Sequence, residues 1–291
     1  MPHSKVLVVY KESTYSRYGS LKNLVRGFKK NKYWRVLKGS HERHLQTLES
    51  VCDVLRQRKF EVTTLLRSKI EDLQRVDRRF RLVVSVGGDG TFLDCSHHLW
   101  KTPLLGVNSD PQQSVARLSG SDKASFSRVL DGYLCGAIKP SLLWRLDFFI
   151  NGRKNTIPVM NDLLISTLSP AGTSRYILKA GSRLEEQMSS GVWISSAAGS
   201  TAAVLSAGGK PFEATAKQFQ FVAREVYQRK FGLRKFLNGV FKTGQTLEVI
   251  SYMRQGRIFI DGSNLVVPFK AGDHLKVQLS SRPLKVIGLK A

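Results

Sequence analysis

Acids are scarce in this 291-residue chain: 22 Asp and Glu stand against 46 Lys and Arg, a formal net charge of +24. Such an imbalance suits anionic partners, whether nucleotides, polyphosphate, nucleic acid or an acidic membrane, without choosing among them. Cysteine is nearly missing. Cys52, Cys95 and Cys135 are far apart, with no CxxC pair and no surrounding histidines, which argues against structural zinc and against a disulfide framework. No apolar run approaches the ~20 residues of a membrane-spanning helix, so no membrane partner is expected. The opening Met1-Pro2-His3-Ser4 runs at once into an apolar strand, leaving no room for a targeting peptide and giving a cytoplasmic protein as the expectation. Internal repeats and low-complexity tracts are lacking. So are the Walker A, HExxH and GxSxG patterns, which removes P-loop, zincin and serine-hydrolase chemistry.

What is present supports a folded protein of one large or two ordinary domains: 42% hydrophobic residues, four Trp and fifteen Phe. Lys5–Tyr10 and Leu82–Val86 read as buried parallel strands. Between them lie a helix at helical spacing from His44 (Leu45, Leu48, Val51, Cys52, Leu55) and a strand at 60–66. A further strand ends at Gly106-Val107-Asn108. These repeated βα units predict a doubly wound α/β domain over 1–120. After one amphipathic helix at 124–134 the chain turns to short alternating strands with Gly, Asn and Asp turns, which predicts a β-rich second domain over 121–291. The stretch Ser13–His41 holds eight Lys and Arg, no acid and interleaved aromatics. It reads as a solvated face, or as a loop serving small anions, and no specific nucleic-acid site is expected there.

Three stretches carry the chemistry. The first is Gly87-Gly88-Asp89-Gly90-Thr91, a strand-to-helix turn whose glycine amides are free to cradle phosphate. Thr91 is expected to open the helix with Asp94 three residues on. An acid inside such a turn repels bare phosphate, so Asp89 must serve otherwise, by orienting a hydroxyl or by meeting a magnesium ion brought by a nucleotide. The second is Asn161-Asp162 beside an apolar run. The third runs from Ser189 to Gly209, where small residues and the hydroxyls of Ser200, Thr201 and Ser206 let a flat ligand approach the backbone.

Together these stretches resemble the NAD kinase family, and the resemblance spans most of the chain. The glycine turn alone is also shared with diacylglycerol-type lipid kinases and, with variation, phosphofructokinases. The combination is specific: Gly106-Val107-Asn108, then Asn161-Asp162, then Gly199-Ser200-Thr201-Ala202 leading to Ser206-Ala207-Gly208-Gly209, then Asp261-Gly262 before Gly272-Asp273. The resemblance implies a Rossmann-like N-terminal domain, a sandwich-like C-terminal domain and a homo-oligomer. It also implies magnesium-dependent transfer of the terminal phosphoryl of ATP, or another donor, to the 2′-hydroxyl of the NAD adenosine ribose. Asp89 takes the catalytic role. Nucleotide contacts fall on Gly87, Gly88, Gly90, Thr91, Asn108, Asn161, Asp162, Gly199, Ser200, Thr201, Ala202, Ser206 and Asp261. The chain departs from most members at Ser196-Ala197-Ala198, at Ser190 in place of an acid and at Ala203 in place of a tyrosine. The Asn108-Ser109-Asp110-Pro111 loop is closer to the divergent branch that includes mitochondrial NAD kinases. Two other readings stay open at this point: a diacylglycerol- or sphingosine-type lipid kinase, and a non-catalytic nucleotide-binding protein.

Overall fold

The structure, a computed structural model, describes residues 5–19, 32–72, 76–227 and 235–289. The chain divides into two compact units, Met1–Leu142 with Leu284–Ala291, and Leu143–Pro283. The first is built on the expected parallel strands. In chain order these are β1 (Lys5–Tyr10), β2 (Glu61–Leu66), β3 (Leu82–Gly87), β4 (Leu104–Asn108) and the two-residue β5 (Ser121–Asp122). They lie in the order β2-β1-β3-β4, with β5 paired to β4, and the sheet continues through β19 (Leu284–Val286) and β6 (Ser141–Leu143). The central strands β1, β3 and β4 are largely apolar because both faces are covered: Val6 to Val9 and Leu82 to Val84 are buried, whereas the edge strand β2 carries Glu61, Thr63 and Thr64 and buries none of its residues fully. The main helices of this unit are α1 (Thr14–Gly19), α2 (Lys32–Gln57), α3 (Asp89–Ser96) and α4 (Phe126–Leu134), with short helical turns at Arg67–Asp72 and Val76–Arg79 besides.

The division falls after Leu142, not at 120. Phe126, Val129 and Leu130 of α4 belong to the same core as Val51 and Leu55 of α2 and Val84 of β3. The chain also returns to this sheet through β19, where Val286 pairs with Leu104.

The second unit holds two six-stranded sheets. One runs β11 (Arg183–Ser189), β10 (Ser174–Ala180), β15 (Leu247–Ser251), β18 (His274–Leu279), β7 (Leu146–Ile150), β8 (Arg153–Lys154). The other runs β14 (Asn238–Lys242), β13 (Gln218–Ala223), β12 (Val192–Ser196), β9 (Asp162–Thr167), β16 (Gly256–Ile260), β17 (Leu265–Pro268). Alternation decides what meets inside: Tyr176, Leu178, Val249 and Val277 from the first sheet share one core with Leu163, Ile165, Ile194, Phe219 and Ile258 from the second. The expected sandwich-like, β-rich architecture is what forms. Among the described residues no helix is long and apolar enough to cross a membrane.

Candidate active site

In the first unit three strand ends emerge side by side. Tyr10 of β1 pairs with Leu66 of β2 and with Val86 of β3. Lys11, Arg67 and Gly87 therefore share the carboxyl edge of the parallel sheet, where ligands of such sheets bind. β3 stops at Gly87, and α3 begins at Asp89 with Gly88 as a cap that has no side chain. The first amides of that helix, those of Asp89 and Gly90, have no intrahelical acceptor. The helix thus starts two residues before the expected Thr91. Thr91 itself is buried behind the turn, and its hydroxyl has no hydrogen-bond partner among the described residues. Its expected capping partner, Asp94, pairs instead with Arg67.

Asp89 accepts the backbone N–H groups of Arg117 (3.0 Å) and Leu118 (2.9 Å), which ties the loop after β4 to the glycine turn. Asn108 organises the same loop. Its Nδ2 donates to the Ser114 carbonyl at 2.8 Å and its Oδ1 accepts the Asp110 N–H at 3.0 Å. Asp110 is buried and receives Arg43 through Nε (2.7 Å) and Nη2 (3.2 Å). Burial would raise the Asp110 carboxyl, but the hydrogen bonds from Arg43 and Ser40 outweigh it and hold it below its ordinary value. Arg43 is thereby neutralised.

Lys11 is different. Burial pulls its ammonium below the usual lysine range; Asp110 opposes this and the charge of Arg67 adds to it. Among the described residues its Nζ makes no hydrogen bond. Arg67 gives Nε to Asp94 and holds Nη1 3.1 Å from where a Cβ on Gly90 would lie. Lys11 and the Asp94-paired Arg67 thus leave their strands at the same sheet edge as the glycine turn, with Arg67 Nη1 against Gly90. Sequence reading missed both, though each is a cation placed directly after a parallel strand.

In the second unit the remaining stretches converge on one peptide. The Met160, Asn161 and Asp162 amides all donate to Asp261, at 2.8, 2.7 and 2.9 Å. The Asn161 carbonyl accepts the Ser196 N–H (2.9 Å) and the Ser195 hydroxyl (3.2 Å), and the Met160 carbonyl accepts the Ser196 hydroxyl (2.5 Å). Gly199 lies against this peptide so closely that an added Cβ would collide with the Asn161 carbonyl oxygen, so only glycine fits. The Asn161 Oδ1 is left buried with no partner among the described residues. Asp162 is 5% exposed, and its carboxyl is pushed up to about 7, first by burial and then by the charge of Asp261.

Ser200 is fully buried and clips the loop, accepting the Phe212 N–H at 2.8 Å. Thr201 and Ala202 are half-buried. Ala203 and Ser206, on the short helix α5 (Ala203–Ser206), line a cavity of about 480 Å³ with Trp193, Ala207, Arg224 and Glu225. A second cavity of about 390 Å³ shares Trp193, Arg224 and Glu225 and adds Ser190, Leu164 and Phe259. Its apolar wall follows from strand alternation. Leu164 is flanked by Trp193 of β12 and Phe259 of β16, all three facing away from the core. Trp193, with the Arg224 guanidinium 5.8 Å from its ring, supplies an aromatic and cationic wall close to the alanine at 203.

The basic stretch 13–41 lies partly outside the described residues. Where described, its aromatics pack on each other: Tyr15 meets Trp34 at 4.8 Å and His41 at 5.3 Å, and His41 Nδ1 meets the Ser13 hydroxyl at 2.8 Å. His44 is buried with Nε2 3.0 Å from the Lys11 carbonyl, and burial lowers its pKa to about 4.

Residues 9–126 match the family described as ATP-NAD kinase N-terminal domain. A protein of Oryza sativa subsp. japonica named probable NADH kinase is 33% identical over 267 residues, covering 84% of this chain and 81% of that protein. Among solved structures, an NAD kinase from Archaeoglobus fulgidus in complex with ATP superposes with a TM-score of 0.67 at 18% identity, covering 97% of this chain and 92% of that one. Yeast NADH kinase complexed with NADH gives a TM-score of 0.66 at 15% identity, covering 100% and 84%. The two solved structures share the fold of this chain.

Proposed function

This chain belongs to the NAD kinase family, and we propose that it transfers the terminal phosphoryl of ATP to the 2′-hydroxyl of the adenosine ribose of NAD(H), giving NADP(H). The observation that carries this reading is the carboxylate of Asp89 held by two loop amides inside a glycine turn at the carboxyl edge of the parallel sheet, the edge at which Lys11 and Arg67 also leave their strands. Phosphoryl transfer asks a protein mostly for positioning and neutralisation of charge. A carboxylate is a weak base toward a ribose hydroxyl. Asp89 therefore orients that hydroxyl and takes its proton late, as the new P–O bond forms and the bond to the leaving diphosphate breaks. Its two amide bonds fix the carboxylate plane and leave acceptor sites for the hydroxyl. Magnesium enters as part of the MgATP substrate, an ion that keeps its waters and nucleotide phosphates with at most one or two carboxylates. Among the described residues no three His, Cys, Asp or Glu side chains are grouped to form a resident metal cage.

Purified protein with MgATP and NAD or NADH is expected to form NADP or NADPH, and failure with both acceptors removes the proposal. The reduced acceptor is favoured by one feature: Ser190 is neutral and Arg224 cationic where the cavities meet, and the oxidised nicotinamide carries a positive charge that the reduced ring lacks. Glu225, exposed at the rim, opposes this only through solvent. A kcat/KM for NADH above that for NAD is the expected result. The lipid-kinase reading gains no support from the relatives found. A homo-oligomer, which the resemblance implies, remains part of the proposal and is checked by light scattering.

The donor side has its own test. Lys11→Met removes a charge-assisted contact to the donor phosphates, which is of order 1.5–3 kcal/mol. The KM for ATP is expected to rise roughly 10- to 100-fold, with the KM for the dinucleotide nearly unchanged. Initial-rate kinetics with each substrate varied in turn separates the two.

A further inference from the structure

We propose that Asp261 does not contact the dinucleotide but is the positioning residue that presents Asn161 and Asp162 to it, through three backbone bonds and through its own charge. The inference rests on the NAD(H) kinase reading and gives Asp261 a distinct role within that site. Asp261 follows β16 with φ at +49°, a left-handed conformation that costs a non-glycine residue energy and is kept only when its surroundings fix it. What fixes it is reciprocal bonding. Its carboxylate takes the amides of Met160, Asn161 and Asp162, and its own N–H donates to the Asp162 carbonyl at 2.9 Å.

The far side of the same peptide is held by Ser195, Ser196 and the close approach of Gly199. With its backbone secured on both sides, the segment can turn its side chains only one way. Asn161 is then left with a buried Oδ1 that has no partner among the described residues. A buried amide oxygen without a donor costs about 1–3 kcal/mol, so a donor group on the ligand is rewarded for meeting it.

The charge of Asp261 adds a second effect. Among the described residues no cation acts on Asp162: β9 and the facing β12 bring the neutral Ser195 and Ser196, and the turn after β16 brings Asp261. Asp162 is therefore partly protonated near neutrality, and a neutral carboxyl can donate to a ribose or base acceptor without repelling the dinucleotide phosphates. Removing the Asp261 charge should let Asp162 ionise at lower pH, although burial still holds it above its ordinary value.

The test is the pH profile of kcat/KM for the dinucleotide at saturating MgATP. The native enzyme should lose kcat/KM as pH rises through an inflection near 7. In Asp261→Asn the KM should rise roughly 10-fold, and the inflection should move at least half a unit to lower pH. Asp261→Glu, which restores the charge but displaces the three amide bonds, should keep the inflection near 7 with a raised KM. An inflection that stays put in Asp261→Asn overturns the proposal. If Asp261→Asn does not fold, Asp261→Glu decides alone, and either an unchanged KM or a lost inflection overturns it. A native enzyme that neither binds nor phosphorylates NAD(H) would instead sink the functional reading itself.

Discussion

Asp89→Asn is expected to cut the turnover of 2′-phosphorylation by roughly 10²–10⁴-fold, the usual loss when a positioned base is removed. The substitution keeps the shape of the side chain and one acceptor oxygen. The amide nitrogen that replaces the other oxygen faces a backbone N–H, either Arg117 or Leu118, so one of the two loop bonds is lost as well. Losing that charge-assisted contact should cost about 1.5–3 kcal/mol of stability, less than the roughly 5–15 kcal/mol that holds a typical domain folded. The two consequences separate in steady-state kinetics. Loss of the base lowers kcat with little change in either KM, whereas a loosened loop acts on the KM for ATP. Thermal melting confirms that the variant is folded, and calorimetric titration with NAD(H) should show binding close to native. Turnover within a few-fold of native in a folded variant would assign the proton transfer to another group.

The part of this site written locally was legible in the sequence. Three glycines that interrupt a β-branched run can only be a turn, and the alternating strands announced a β-rich second unit. The helix start was misplaced because its cap is Gly88, which carries no polar side chain to mark it. The long helix α2 was read only from His44; its first turns, from Lys32, bury none of their side chains fully, and their apolar residues stand in a run of Lys and Arg that reads as a solvated face. The boundary at 120 followed a change of texture in a loop. The true division depends on α4 packing on α2 and on β19 returning to the sheet, contacts between distant residues that no local pattern records. Asp261 is the clearest case. As an Asp-Gly turn it looked like a ligand contact, and its work is visible only once it meets a peptide about one hundred residues earlier in the chain. Lys11 and Arg67 could have been found: each is a lone cation at the carboxyl end of a parallel strand.

Asp162→Asn is expected to stabilise the protein at alkaline pH and to do nothing for it in acid. The sign follows from proton binding. The folded-state value of Asp162 is pushed up to about 7, against about 3.9 for an unfolded aspartate. Between those two values the folded state holds more protons than the unfolded state, so stability falls as pH rises across the window. The contribution is fully present below pH 4 and is lost as pH passes 7. A shift of about three units corresponds to about 4 kcal/mol, an upper figure that relaxation around a charged Asp162 will reduce. Asparagine does not titrate and removes this dependence. The group is 5% exposed, so solvent screening takes little of the effect away. Other titrating groups, such as His44 with its value lowered to about 4, act equally on both proteins and cancel in the difference. Urea unfolding of the native and variant proteins at pH 5, 6, 7 and 8 measures it directly. The gap in stability should already be open at pH 5, widen to pH 7 and level off between pH 7 and pH 8. A gap that stays constant over that range would mean that Asp162 is ionised throughout, and its burial beside Asp261 would then need another counter-charge than those seen here.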